Sequence, residues 1–193
     1  DNCPTGAINL NPVALDIGKC VFCPTCEELC PEKIIHFSGN YRLCADVREK
    51  LLITKNVKEI APEEASKIIK SYFGRSLKLR QISAGGCNGC ELELNALGNV
   101  NFDMGRYGVE FVASPRHADG VLITGPITKN MAQATEICYD AVPNPKIIIL
   151  CGACAISGGI FQNSTEIDRK FVENNKIDLY VPGCPPHPLT LIN

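Results

Sequence analysis

The sequence predicts an α/β protein, a mostly parallel sheet with helices on both faces, preceded by a small cysteine-rich segment. Two patterns predict the sheet. Five short apolar runs rich in β-branched residues, LKLRQI, VEFVAS, GVLIT, KIIIL and DLYV, recur between Leu77 and Val181, and runs of that length and composition read as buried strands. Helical stretches alternate with them, after Asn88, after Thr128 and from Glu166 to Asn174, and βαβα alternation implies parallel pairing through crossover helices. A third observation predicts the separate leading segment: Cys20, Cys23, Cys26 and Cys30 stand together as CVFCPTCEELCP, with Cys3-Pro4 ahead of them.

At 193 residues the chain is long enough for one sizeable core and a smaller unit. The expected divisions are residues 1–45, the cysteine-rich segment; 46–76, a linker with one helix; and 77–193, the α/β domain. A net charge of −2 with no basic stripe argues against a nucleic-acid partner. No apolar run approaches the ~20 residues of a membrane span. Twelve cysteines in C-x2-C clusters with long gaps between them suit metal ligation in a reducing, cytoplasmic compartment better than disulfides.

The spacing C-x2-C-x2-C-x3-C-P from Cys20 to Pro31 is the ferredoxin run, in which three thiolates grip one iron–sulfur cube and the fourth reaches a second. Cys3-Pro4 reads as the tail of an earlier copy, since DNCPTGAINL and EELCPEKIIHF both place Cys-Pro before a spacer and an apolar strand. Cys3, Cys20, Cys23 and Cys26 are therefore the expected ligands of one 4Fe-4S cluster, through which the chain would handle electrons. Cys30 is the expected ligand of a second, whose other three ligands would lie upstream of Asp1 in a longer chain. The rival is zinc, because C-x2-C pairs also build zinc ribbons; zinc ligands usually come as pairs across a long spacer, whereas these are packed into one run. In the linker, Pro62, Glu63 and Glu64 suit a helix start, Gly74 suits its stop, and Ala65, Ile68, Ile69 and Tyr72 form an apolar stripe.

The remaining cysteines gather after strands. Cys87 and Cys90 lie in SAGGCNGCE after LKLRQI, Cys151 and Cys154 in LCGACAISGG after KIIIL, and Cys184 in VPGCPP after DLYV. Parallel sheets bind ligands at the carboxyl ends of their strands, so five thiols arrive where a cubane needs four. Gly85, Gly86, Gly89, Gly152, Gly158, Gly159 and Gly183 surround them and would let backbone N–H groups approach an anionic centre. Ordinary strand-to-helix turns also use glycine, but three such loops that each carry cysteine favour a site. GGCNGC is neither a dinucleotide fingerprint nor a P-loop.

The set GGCNGCE, SPRHAD, CGACAISGGIF and PGCPP resembles the small, cluster-bearing subunit of membrane-associated nickel-iron hydrogenases, including the formate hydrogenlyase type, and the related 20 kDa subunit of NADH:quinone oxidoreductase. The likeness runs nearly continuously over residues 77–193. It implies a flavodoxin-like fold in which Cys87, Cys90, Cys154 and Cys184 hold a 4Fe-4S cluster, with Cys151 left as a buried structural thiol. Quinone-reducing subunits carry two adjacent cysteines at the first ligand position; Cys87 and Cys90 are spaced by Asn88-Gly89, which favours the hydrogenase branch. The resemblance further implies a catalytic large subunit as partner, which would carry the nickel-iron site, and ferredoxin-type or membrane subunits beside it. The chain would then sit peripherally on the inner face of a membrane. No nickel-binding constellation appears in the sequence. The alternatives are an equivalent relay in a quinone-type oxidoreductase, flavin binding, and a zinc-stabilised binding module.

Weaker candidates complete the reading. Arg116 and His117 in SPRHAD could face the cluster or a partner, and Glu91 and Glu93 could pass protons or simply favour a helix start. Cys44 and Cys138 are expected to pack as small apolar groups, and His36 and His187 to serve core or surface roles.

Overall fold

The computed structural model describes residues 2–57, 60 and 76–193. The helix expected between Pro62 and Gly74 lies outside the described residues. Strands β4 (Leu77–Ser83), β5 (Val109–Phe111), β6 (Gly120–Thr124), β7 (Ile147–Cys151) and β8 (Leu179–Val181) form one parallel sheet in the order β5-β4-β6-β7-β8. This is the flavodoxin-like order: the chain enters at β4, steps outward to β5, then crosses back to β6, and the carboxyl ends of the five strands share one edge, where the loops after β4 and β6 pack against each other at Gly86 and Gly125.

Side-chain alternation builds a core on each face. On β6, Val121 and Ile123 point to one face and Leu122 to the other; on β7, Ile148 and Leu150 oppose Ile149 and Cys151. The first face packs Met131 and Ala132 of α3 (Lys129–Asp140) and Phe171 of α5 (Lys170–Asn174). The second packs Leu94 of α2 (Gly89–Ala96) and Leu191 of α6 (Pro188–Ile192). Two elements are shorter than the sequence suggests. β5 stops at Phe111 because Pro115 opens a 3₁₀ turn, Pro115–His117. The helix around Glu166 is confined to α5, because Ile167 is used in a bridge to Thr128 and Asp168 N–H donates to the Ile127 carbonyl. The sequence did not announce α4 (Ala153–Ser157), whose five residues lie between Gly152 and Gly158 and are too few to display a helical period.

In the leading segment, β1 (Ile8–Leu10) pairs antiparallel with β2 (Val13–Asp16), and β2 pairs with β3 (Leu52–Thr54). The third strand of this small sheet thus comes from residues assigned to the linker by sequence. The short helix α1 (Thr25–Glu28) follows Cys23. The segment is continuous with the main core: Ile17, Ala45, Leu51 and Ile60 bury with Ile82, Ile123 and Leu150. Ala45 exchanges two backbone hydrogen bonds with Tyr180 of β8, Arg48 reaches Asp16 at 2.7 Å, and the buried Cys44 thiol donates to the Thr190 carbonyl at 3.2 Å. Among the described residues no helix is long and apolar enough to cross a membrane.

Ile123 sits fully buried in the central strand, so Ile123→Ala should lower the unfolding free energy by about 2–5 kcal/mol, read as a shift of the urea midpoint under anaerobic conditions.

Candidate iron–sulfur centres

The loops after β4, β7 and β8 carry their thiols to the carboxyl edge of the sheet. Asn88 adopts a left-handed backbone (φ 70°), which turns the chain after Cys87 into α2 and sets Cys90 in its first turn. Gly152 (φ +90°) performs the same turn after β7; a side chain there would meet the Cys90 sulfur at 2.6 Å, so only glycine lets the β7 loop and the Cys90 loop close on each other. Gly159 (φ +55°) is equally constrained, with a Cβ position 3.0 Å from the Cys154 sulfur.

Electrostatics show which thiols share a space. Burial pushes the Cys154 thiol up to about 11, and charge on Cys184, Cys90 and Cys87 pushes the same way, against Arg169. Burial also raises Cys184, with Cys90 and Cys87 adding to it. Cys87 and Cys184 are exposed at the rim; Cys90 and Cys154 are half-buried behind them. Cys151 is wholly buried, and its thiol hydrogen-bonds the Cys90 sulfur. The Cys90 thiol is held low by that donor, and Cys151 is raised well above the ordinary thiol value by the same bond and by burial. Four thiols thus act on one another at this edge, and the fifth is buried beside Cys90.

The second group forms in the leading segment. Burial pushes Cys20 up to about 11 against the Phe22 N–H, which donates to its sulfur at 3.3 Å, and Cys3, Cys26 and Cys23 all act on it. Cys3 accepts from the Ala7 N–H at 3.3 Å and lies 3.7 Å from the Thr5 hydroxyl. Burial raises its thiol, but those donors, with the Thr5 and Ile8 N–H groups, outweigh burial and leave it lowered. Cys30 follows α1, and N–H groups of Ile34, Glu32, Ile35 and Lys33 face its sulfur; Ile34 contributes most to holding its thiol low.

The donor set tests what could be held. Both groups are all-sulfur, and the N–H groups around Cys3, Cys20 and Cys30 match the demand of thiolates for hydrogen bonds. Among the described residues no three His, Cys, Asp or Glu side chains close to single-ion distance. Sulfurs on one zinc with bonds of ~2.3 Å would stand only about 3.8 Å apart. Thiols that flank a wider space fit a cube of iron and sulfide, which fills the middle itself.

The weaker candidates take definite places. Glu91 is buried, and its Oε1 accepts from the Ser83 and Thr124 hydroxyls, each at 2.6 Å. Burial raises its carboxyl, yet the two hydroxyls overcome this and hold it below the usual range. Glu93 is half-buried in α2, and Arg116 and His117 are exposed in the turn after β5. His187 caps α6 by accepting from the Leu189 N–H at 3.2 Å, His36 meets Glu27 at 3.2 Å, and Cys138 packs half-buried against the core.

One residue is important to the site and was missed by sequence reasoning. Arg169 donates to the carbonyls of Ala155 (2.8 Å), Ile156 (2.9 Å), Pro126 (3.3 Å) and Cys154 (3.5 Å), closing the carboxyl end of the helix that carries Cys154. It lies in the charged stretch EIDRK, and only the pairing of Ile167 with Thr128 swings it inward.

Comparison with known proteins gives a consistent context. The sequence model of a family described as the NADH ubiquinone oxidoreductase 20 kDa subunit matches residues 87–193. Over 122 residues the chain is 38% identical to a probable membrane-bound hydrogenase subunit of Pyrococcus furiosus, an alignment covering 63% of this chain and 73% of the relative. It is 41% identical over 129 residues to formate hydrogenlyase subunit 7 of Escherichia coli, covering 67% of this chain but only 50% of that relative's length. Among solved structures, a chain of the membrane-bound sulfane sulfur reductase, an archaeal respiratory membrane complex, superposes with a TM-score of 0.53 at 30% identity, covering 61% of this chain and 65% of that one.

Two outcomes follow from the site geometry. Arg169→Met strands buried carbonyls and should destabilise the protein by about 1–3 kcal/mol, measured by anaerobic denaturation. Cys151→Ala removes a donor to the Cys90 sulfur, and hydrogen bonds to sulfur favour the reduced, more negative state; the iron should be retained while the reduction potential falls, as read by an EPR-monitored titration.

Proposed function

We propose, since the chain belongs to the NADH ubiquinone oxidoreductase 20 kDa subunit family, that it is the electron-relay subunit of a multi-subunit nickel-iron hydrogenase. The family is one of iron–sulfur oxidoreductase subunits. The observation that carries the reading is that Cys87, Cys90, Cys154 and Cys184, from three separate loops, act on one another's charge at the carboxyl edge of the sheet. These four would hold a 4Fe-4S cluster, Cys3, Cys20, Cys23 and Cys26 a second, and Cys30 would contribute to a third completed elsewhere in the full-length protein.

A bound cluster supplies reversible one-electron storage. The chain's own residues supply the rest. The glycine turns bring backbone against sulfur, Cys151 donates to Cys90, and Arg169 fixes the helix of Cys154. Cys87 and Cys184 stand exposed, and Leu92, two residues beyond Cys90, is exposed as well. This rim is the face a catalytic partner would cover, and the nickel site would lie in that partner. The assembly would be peripheral on the cytoplasmic face of a membrane, in keeping with the complexes named for the relatives. The 30%-identical likeness to a respiratory sulfane sulfur reductase favours one second reading, the same relay serving a complex without hydrogen chemistry.

Anaerobic co-purification of the full-length protein with its neighbours, followed by iron, sulfide and nickel analysis, separates these readings. Nickel in the complex supports the hydrogenase; iron without nickel supports the second reading; a colourless protein with stoichiometric zinc defeats both. Each of Cys87→Ser, Cys90→Ser, Cys154→Ser and Cys184→Ser should remove the iron of one cluster, while Cys151→Ser keeps it. The reverse result for Cys151 and Cys154 would show that the ligand set is wrong.

A further inference from the structure

We infer that Gln162 is the residue that couples the two cluster sites of this chain electronically, an inference that rests on the relay reading above. The leading segment and the α/β domain meet between the two sites, where Gly18 packs on Ile156 and the Gln162 side chain makes a hydrogen bond across the seam. Gln162 Nε2 donates to the Thr5 carbonyl at 3.0 Å. Thr5 is buried at 1% exposure, and its hydroxyl lies 3.7 Å from the Cys3 sulfur, two residues back along the chain. On the other side, the Gln162 N–H donates to the Gly159 carbonyl at 3.3 Å, and Gly158 approaches so closely that a Cβ there would lie 2.8 Å from the Gln162 Cα. Gly159 in turn presses against Cys154, its own Cβ position falling 3.0 Å from the Cys154 sulfur.

Covalent and hydrogen bonds therefore join the two cysteines in one route: Cys3, the Pro4-Thr5 backbone, the amide hydrogen bond, Gln162, the Gly159 carbonyl, and Gly158, whose N–H donates to the Cys154 carbonyl at 2.9 Å. An electron tunnels more readily through bonded and hydrogen-bonded atoms than across a gap. Glutamine suits the position because it offers an N–H donor without charge, and a fixed charge would bias the potential of whichever cluster lay nearer. The step is a one-electron exchange. With clusters held by the two cysteine groups, one electron would pass between them, one centre being oxidised as the other is reduced, and no bond or proton would change place.

The test uses the intact complex, reduced by one electron from a photo-reductant, with the equilibration rate between the two clusters followed by rapid-freeze EPR. Iron content, both midpoint potentials and the magnetic splitting between the clusters are measured alongside. Gln162→Met keeps the length and removes the donor; Gln162→His restores a neutral N–H at similar reach above its titration range. The expected result is a severalfold slower equilibration in the Met variant, recovery in the His variant, and unchanged iron, potentials and splitting in both. An unchanged rate in Gln162→Met overturns the inference. So does a slower rate accompanied by altered splitting, which would make Gln162 a strut that holds the two segments in place. A wild-type complex lacking the iron of two clusters would instead refute the relay reading beneath it.

Discussion

The parallel pairing of β4 with β6 is the constraint on which the rest of the molecule depends. Because β4 is hydrogen-bonded along β6, the loops that leave the two strands pack backbone to backbone at Gly86 and Gly125, and the carboxyl ends of β4, β7 and β8 share one edge of the sheet. Cys87, Cys90, Cys154 and Cys184 lie in the loops at that edge, after strands with almost fully buried centres. A shift of one residue in register would turn Val121, Ile123, Ile148 and Leu150 out of one core and into the other, and it would turn the loops with them. The position of the sulfurs is thus held by the same alternation that holds the core.

Placing so many polar and ionisable groups at a half-buried rim requires local compensation, and each case is answered by a specific partner. Glu91 lies next to Cys90 with two hydroxyls on one oxygen, which keeps a buried carboxylate ionised without a cation. The last carbonyls of α4 are met by Arg169, whose own burial is offset by as many as four acceptors. Cys151 directs its thiol at Cys90 from within the core. If Cys90 holds a cluster as proposed, a buried neighbour of this kind would tune it from outside the ligand set.

The leading segment reads as an independent unit in sequence and is an integral part of the fold. Ile17, Ala45, Leu51 and Ile60 complete the core on one face of the main sheet, and Ala45 extends the hydrogen bonding of β8. A segment this short in regular structure would be held mainly by its metal if it stood alone. Sharing a core fixes it against the α/β domain, so that the Cys3 group and the Cys154 group keep a constant relation, bridged at Gln162. In the proposed relay, whose rates would fall steeply with separation, such rigidity between sites would be a functional property.

Much of this was legible in one dimension. The parallel α/β class, the five strands to within a few residues, the two cysteine groups and the glycines between them all follow from spacing and periodicity, because these are local features that neighbouring residues impose on one another. The linker assignment of Leu52–Thr54, the short helix at Cys154, the reach of Arg169 and the bond from Gln162 to Thr5 carry no such mark, since each depends on a partner far away along the chain. The sequence by itself determined which atoms were available, sulfur in runs after strands. The tertiary structure alone decided how Arg169 is turned inward and how the two cysteine-bearing segments are joined, because those are distances between segments that only the packed sheet and its shared core bring together.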